Sequence, residues 1–248
     1  MHNFFVSESQ KQNNRYLITG NDYNHIINVL RMDIGYTFLV SSDKKSDLCE
    51  IESFDTDTVT ALIIEENYQN TELPLNIYLF QGLPKGDKME FIIQKSVELG
   101  VFAVVPTEMN RCVVKLDDKK KKSKVARWQA ISESAAKQSK RKYIPKVFDV
   151  LSYKQALEMA KTLDLLIVPY ENEEGMLATK KVLDDLKNCK SVGIIIGSEG
   201  GFDDGDITLA KEMGGKVISL GKRILRTETA AITSVAMCML STEMNFKE

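Results

Sequence analysis

Apolar residues recur with two different periods along the chain, and the change falls near residue 70. Before it, short runs rich in β-branched and aromatic residues predict strands at 36–40, 48–51 and 58–64. Helical spacing appears once, over 21–31. The polar stretch 65–73 ends at Pro74 and is typical of a linker. We therefore predict a small β-rich domain over residues 1–70.

Strands alternate with helices in the rest of the chain. Strands are predicted at 75–80, 101–105, 164–168, 192–196 and 216–220, and helices at 86–99, 124–140, 153–163, 173–187, 204–213 and 227–242. This alternation predicts a parallel sheet covered by helices on both faces, and the strands have the continuous apolar character that such a sheet requires. We assign residues 74–248 to one α/β domain, which the pattern alone describes as an ordinary doubly wound fold.

Composition limits the class of protein. Of 248 residues, 43% are hydrophobic and 27% charged, which is typical of a globular chain. No apolar run approaches the roughly 20 residues of a membrane helix, and the N-terminus lacks the features of a secretory signal. The four cysteines are isolated and only two histidines occur, so we expect neither disulfides nor a metal site. The expected compartment is the cytoplasm.

Basic residues are concentrated in one block. Residues 111–146 contain thirteen Lys or Arg against three acids, whereas the remainder carries twenty basic and thirty-two acidic residues. A basic block on an otherwise acidic chain indicates binding to a polyanion such as RNA. The alternative is a solvated helix face beside a charged loop.

Ligands of parallel sheets bind beyond the carboxyl ends of the strands, and glycines follow one predicted strand at that point. The glycines of 197–201 allow the backbone to approach a ligand closely, and Asp203 or Asp204 can cap the next helix. The nearby acids would repel phosphate, so a polar ligand with positive charge fits better. The alternative is a tight turn before a capped helix.

Arginines crowd the end of another predicted strand. Arg223 and Arg226 can hold a phosphate or carboxylate there, while Thr227 can cap the last helix. The alternative for Arg226 is an ion pair with Glu228.

Six segments resemble the RsmE family, the 16S ribosomal RNA uridine N3-methyltransferases of the SPOUT class. They are 25–31 with Gly35, 85–90, 94–101, 133–141, 197–201 and 220–231. The glycine loop resembles the family's G-P-E-G-G, and 220–231 resembles L-G-x-R-I-L-R-x-E-T-A-A; their joint presence is the most specific signal. Two departures are Ser198 in place of proline and Asn3 where the family often has arginine.

The resemblance implies S-adenosylmethionine as cofactor, a C-terminal trefoil knot, a PUA-like N-terminal barrel that binds RNA, and a homodimer acting on the small ribosomal subunit. Knots are rare exceptions to chain topology, so periodicity could not predict one. By position, the resemblance implies cofactor contacts from Val168, Pro169, Tyr170, Glu171, Gly197, Ser198, Glu199, Gly200, Gly201, Leu220, Gly221, Ile224, Leu225, Arg226, Thr229 and Ala230. We expect RNA contacts from Arg31, Arg111, Lys121, Lys122, Gln138 and Arg141.

The reaction itself suggests two catalytic candidates. Uracil N3 carries a proton, so the enzyme must remove it or stabilise the resulting anion, and must align N3 with the methyl group. Arg226 is the candidate that stabilises the anion or grips the adjacent phosphate, and Glu199 is the weaker candidate for a base. Three alternatives remain: a different RNA substrate, an RNA-binding protein without activity, and a small-molecule α/β enzyme.

Overall fold

The chain folds into two units in the computed structural model, which describes residues 1–68, 70–173 and 175–245. One unit comprises Met1–Glu72 with Ala136–Ile144, and the other comprises Leu73–Ala135 with Pro145–Glu248. Glu174 of the predicted helix 173–187, Gln69 of the predicted domain 1–70, and residues 246–248 of the predicted domain 74–248 lie outside the described residues.

The N-terminal unit is built on a six-stranded sheet. Its strands are β1 (Asn3–Phe5), β2 (Lys11–Gln12), β3 (Arg15–Thr19), β4 (Thr37–Ser42), β5 (Lys45–Phe54) and β6 (Thr58–Glu65), in the order β1-β4-β5-β6-β3-β2. All pairs are antiparallel except β1 with β4. Alternate residues point into one core, where the rings of Phe4 and Phe38 meet edge to face at 5.3 Å.

The three strands predicted in this unit are confirmed as β4, β5 and β6. The predicted helix 21–31 is observed as α1 (Gly20–Asn24), which continues into a π-helical segment, His25–Val29. The prediction missed β1, β2 and β3, because these strands are two to five residues long and the first two lie in a mostly polar stretch. Periodicity needs a longer run to separate a strand from a loop.

Arg141 anchors the segment Ala136–Ile144 to the rest of the N-terminal unit. Its side chain is only 2% exposed, and a guanidinium nitrogen lies 2.6 Å from Glu72 Oε2. The guanidinium also stacks 5.0 Å from the Tyr143 ring centroid. The Arg141 carbonyl accepts a hydrogen bond of 2.9 Å from the buried side chain of Asn3. The expected RNA contact of Arg141 does not fit this placement, because the side chain would have to break a buried ion pair to reach phosphate.

Replacing Arg141 with Ala should destabilise the protein by about 3–5 kcal/mol, because Glu72 would keep a buried charge without its partner. The free energy of unfolding in urea measures the loss. Lys45→Ala is the control, since Lys45 is an exposed cation of the same unit. Equal stabilities of the two variants would contradict the anchoring role of Arg141.

The C-terminal unit is built on a parallel sheet. Its strands are β7 (Asn76–Gly82), β8 (Ala103–Glu108), β9 (Lys146–Val147), β10 (Leu151–Ser152), β11 (Leu165–Pro169), β12 (Ser191–Ile196) and β13 (Lys216–Ile218). The order is β10-β8-β7-β12-β11-β13, with β9 also paired to β8, and all pairs are parallel. The five predicted strands are therefore confirmed, as is the α/β class with a mainly parallel sheet.

The remaining helices are α2 (Lys88–Glu98), α3 (Asp118–Gln138), α4 (Tyr153–Ala160), α5 (Leu177–Asp185), α6 (Asp204–Glu212) and α7 (Thr227–Asn245). All six predicted helices are present, with ends shifted by up to six residues. Within the described parts of the chain, no helix is both long and apolar enough to cross a membrane.

The strand predicted to end at residue 105 continues through Pro106. Strand β8 continues to Glu108, and Pro106 pairs with Gln81 of β7. On the other edge of β8, β9 pairs with residues 103 and 104, and β10 pairs with residues 107 and 108. Pro106 thus lies between two short partners, at a point where its missing N–H breaks no ladder.

The strand order brings distant parts of the chain to one edge of the sheet. Strand β12 lies between β7 and β11, although β11 precedes it in sequence. The carboxyl ends of these parallel strands are therefore neighbours, which places Gly82, Pro169 and Gly197 close together. Helix α7 packs against β7 and β12.

Candidate active site

The glycine loop that follows β12 is a tight turn before a capped helix. Ser198 and Gly201 form an isolated antiparallel bridge, with the Gly201 amide donating to the Ser198 carbonyl at 2.9 Å. Gly201 has φ +66°, a conformation that favours glycine. Asp203 caps α6, because its carboxylate accepts from the Asp206 amide at 2.7 Å. The structural alternative considered for this loop is thus correct, and the loop also lines a cavity described below.

The backbone of the glycine loop is packed too closely at two positions to leave room for a side chain. A Cβ on Gly82 would lie 2.6 Å from the Ser198 nitrogen, and one on Gly200 would lie 2.6 Å from the Arg111 carbonyl oxygen. Only glycine permits either approach. The Ser198 hydroxyl donates to the same Arg111 carbonyl at 3.2 Å, a contact that proline could not make.

The segment after β13 closes against the glycine loop through Thr227. This residue is 6% exposed, and its hydroxyl donates to the Gly197 carbonyl at 2.6 Å. The same hydroxyl accepts from Gln81 Nε2 at 2.9 Å. We predicted Thr227 as a helix cap; in the structure α7 begins at Thr227 itself, and the hydroxyl joins two loops.

Lys88 lies between two carboxylates at this edge of the sheet. Its ammonium is 2.8 Å from Glu199 Oε1 and 3.7 Å from Glu228 Oε2. Glu199 also accepts from the Lys85 amide at 3.0 Å. Partial burial would raise the pKa of Glu199, but hydrogen bonds from Lys88 and backbone amides outweigh it, so this pKa is lowered from its ordinary value. Glu199 is therefore an anion at neutral pH.

Arg226 is exposed at the mouth of the site. The predicted alternative paired it with Glu228, yet the cation nearest to Glu228 Oε2 among the ion pairs of the described residues is Lys88. The guanidinium of Arg226 therefore remains available to an anionic ligand.

Three cavities of about 550, 400 and 60 Å³ lie side by side and share Glu171 in their walls. Fourteen of the sixteen predicted cofactor residues line at least one of them: Pro169, Tyr170, Glu171, Gly197, Ser198, Glu199, Gly200, Gly201, Leu220, Gly221, Ile224, Leu225, Arg226 and Ala230. Val168 instead lies in the core, and Thr229 is exposed on α7. No cluster of potential metal ligands occurs among the described residues.

The residues predicted to contact RNA are divided between the two units. Arg31 and Gln138 are exposed in the N-terminal unit, where Arg141 is buried. Arg111 and Lys122 are exposed in the C-terminal unit. Lys121 pairs with Glu108 at 2.8 Å. Arg111 also reaches the glycine loop, since its guanidinium donates to the Gly200 carbonyl at 3.3 Å.

Sequence reasoning missed three residues of this site: Gln81, Gly82 and Lys88. Gln81 and Gly82 end an apolar strand, so the same strand-end argument that identified the glycine loop could have found them. Lys88 gave no such signal, because a lysine in the first turn of a helix is ordinarily solvated.

Replacing Lys88 with Met should raise the pKa of Glu199 towards its ordinary value, because the strongest stabilising partner of the carboxylate is lost. NMR titration of the Glu199 carboxyl carbon measures the change. The lowered pKa of Glu199 contributes stability that is present above its unfolded pKa and is lost as pH falls through the folded pKa. The stability difference between wild type and variant should therefore shrink on acidification.

Lys95→Met is the matched control for this titration. It removes a cation from the same helix and breaks the 2.8 Å ion pair with Glu98. It should leave the Glu199 titration unchanged. An unaltered Glu199 pKa in Lys88→Met would show that backbone hydrogen bonds alone hold the carboxylate.

Comparison with known proteins identifies the family. A family model described as RNA methyltransferase domain matches residues 71–239. Ribosomal RNA small subunit methyltransferase E of Bacillus subtilis is 39% identical over 98% of both chains, and that of Mesomycoplasma hyopneumoniae is 34% identical over 96% of this chain and 99% of its own. The structure of the Neisseria gonorrhoeae enzyme of this name, bound to S-adenosyl methionine, superposes with a TM-score of 0.81 at 32% identity over 95% of both chains. The chain belongs to the ribosomal RNA small subunit methyltransferase E family, as its resemblance to RsmE predicted.

Proposed function

We propose that this protein transfers a methyl group from S-adenosylmethionine to N3 of a specific uridine in the 16S ribosomal RNA of the small subunit. Membership of the family supports ribosomal RNA methylation with this cofactor. The structural observation that carries the proposal is the 400 Å³ cavity at the strand ends, which is lined by both the glycine loop and Arg226. The small-molecule and non-catalytic alternatives have no comparable support.

The lining of the cavities fits S-adenosylmethionine. The cofactor carries a positive sulfonium and an ammonium group, and Glu171 and Glu199 supply negative charge in the same walls. Glycine backbone at 197–201 and Gly221 allows close approach to the cofactor's polar edges. We propose that the fourteen lining residues hold it, and that its chemistry is to present an electrophilic methyl group.

Arg226 is the better candidate for the catalytic step. A guanidinium remains charged at all working pH values and can stabilise the uracil anion or hold the neighbouring phosphate. A general base works best with a pKa near the working pH, and the pKa of Glu199 is displaced below its ordinary value. Glu199 is therefore a weak base, better suited to holding Lys88 and the positive cofactor.

Arg226→Ala should lower kcat by about 100-fold, the typical cost of removing one donor that stabilises developing negative charge. Methyl transfer to purified small-subunit RNA measures this, with S-adenosylmethionine affinity followed by calorimetry. Arg226→Lys keeps the charge and should recover part of the rate. Near-normal turnover of Arg226→Ala with intact cofactor binding would exclude the catalytic role.

The basic start of α3 is proposed to bind the RNA backbone. Lys119, Lys120 and Lys122 are exposed in its first turns. Their charge would contribute sequence-independent affinity that weakens with salt. Arg111, beside the glycine loop, could extend the same contact towards the site, whereas Lys121 would first have to leave Glu108.

Reversing charge at Lys119 and Lys122 should weaken RNA binding and flatten its dependence on salt, by about 0.7–0.9 in the logarithmic slope for each lost phosphate contact. Fluorescence anisotropy with an rRNA fragment at several salt concentrations measures both. The control reverses Lys154 and Lys161, two exposed cations of α4 and its C-cap. Equal binding by both double variants would refute the assignment.

The remaining family features are also proposals. We propose that residues 1–70 form a PUA-like RNA-binding domain, supported by the largely antiparallel sheet around one core, and that residues 74–248, of which 136–144 belong to the N-terminal unit, form the methyltransferase domain. A trefoil knot is supported by the placement of β12 between β7 and β11. A homodimer is supported by Leu240 and Met244 of α7, which expose apolar surface.

The substrate position is tested in cells. Mass mapping of ribosomal RNA from cells lacking this protein should show the loss of one N3-methyluridine from 16S RNA, restored by wild-type protein and not by Arg226→Ala. Unchanged methylation in those cells would reject the proposed substrate.

A further inference from the structure

Gln81 is a buried polar residue outside the cavity walls. It is the last residue but one of strand β7, its side chain is fully buried, and it lines none of the three cavities. Its amide nitrogen has three oxygen neighbours: Gly82 O at 2.9 Å, Thr227 Oγ1 at 2.9 Å and Gly197 O at 3.5 Å. Two of these neighbours belong to segments that form the site.

The orientation of the Gln81 amide is fixed by its surroundings. Gly82 and Gly197 present carbonyl oxygens, which only accept hydrogen bonds, so the nitrogen must face them. The Thr227 hydroxyl donates to Gly197 O at 2.6 Å, which leaves its lone pairs for Gln81. The Gln81 nitrogen, the Thr227 hydroxyl and the Gly197 carbonyl therefore form one closed set of contacts, the Gln81 clasp.

The burial of the Gln81 amide oxygen is energetically unfavourable. Gln81 Oε1 is buried and has no hydrogen-bond partner among the described residues. Leaving such an acceptor unsatisfied is unfavourable by about 1–3 kcal/mol, which offsets part of what the hydrogen bonds of the amide nitrogen to Gly82 O and Thr227 Oγ1 contribute. The net contribution of glutamine to stability at this position is therefore small, and an unsatisfied buried group calls for a further explanation.

The clasp joins the two segments that must be aligned for methyl transfer. Gly197 begins the glycine loop that lines the cofactor cavity, and Thr227 directly follows Arg226. Transfer requires the methyl donor and the nucleophile to be in line, and small displacements are costly in rate. We propose that Gln81 is a positioning residue that fixes the glycine loop relative to Arg226. This inference rests on the proposed function.

Gln81→Leu separates positioning from stability. Leucine has a similar volume and removes both the unsatisfied oxygen and the hydrogen bonds of the amide nitrogen, so these two effects oppose each other and the melting temperature should change little. Because each segment can still bind its own ligand, the affinity for S-adenosylmethionine should change by less than about threefold. The kcat for methyl transfer should fall by about 10- to 100-fold, since a misplaced reacting pair loses rate rather than affinity.

Three further variants test whether the Thr227 hydroxyl and Gln81 act together. Thr227→Val removes the hydroxyl and should lower kcat similarly, while Thr227→Ser keeps it and should restore most of the rate. The double variant Gln81→Leu/Thr227→Val should lose less than the product of the single effects, because both remove one clasp. Ser132→Ala is the control. It deletes the buried hydrogen bond from the Ser132 hydroxyl to Pro145 O at 2.7 Å, which lies in the same unit but involves none of the clasp residues.

Hydrogen exchange tests the clasp without turnover. Gln81→Leu should accelerate exchange of the amides of residues 198–201 and 228–230, and Ser132→Ala should not. Unchanged exchange, or a kcat like that of wild type, overturns the positioning role. A fall in melting temperature that accounts for the lost rate also overturns it. The proposed function is rejected by a different result, namely wild-type protein that binds S-adenosylmethionine but methylates no small-subunit RNA. In that case the exchange measurement would still show whether Gln81 holds the two segments together.

Discussion

Placing β12 between β7 and β11 is the constraint on which the site depends. Parallel strands release their carboxyl ends at one edge, so this order makes neighbours of loops that are more than a hundred residues apart in sequence. The loops then meet without room for side chains: a Cβ on Gly82 would collide with the backbone of Ser198. Glycine is required here by close approach, since Gly82 has no positive φ.

Polar contacts further stabilise the loops whose backbones approach each other closely. The Gln81 clasp joins the end of β7 to the glycine loop and the start of α7. Lys88 places a cation between Glu199 and Glu228, whose negative charges would otherwise repel each other in a partly buried place. Because these contacts pin the loop backbones, the cavity walls are preformed, which lowers the cost of ordering them on binding. Arg226 is an exposed cation beside them.

The N-terminal unit shows how a motif can have a structural origin. The segment 133–141 gave part of the family resemblance, and its basic residues indicated RNA binding. In the structure Arg141 is a buried anchor held by Glu72 and Tyr143, so its sequence signal reflects packing within that unit. Asn3, noted as a departure from the family pattern, is buried against the Arg141 carbonyl. Charge type alone does not separate a buried ion pair from a surface contact.

The sequence by itself determined the α/β class, the five longer parallel strands, the helices, and the glycine and arginine segments of the site. These follow from local periodicity and from residue types at strand ends, which are properties of neighbours along the chain. Only the tertiary structure revealed Gln81, Gly82 and Lys88 as parts of the site, the continuation of β8 through Pro106, and the burial of Arg141. Each of these depends on a partner distant in sequence, and the strand order that supplies the partner is set by packing of the whole sheet.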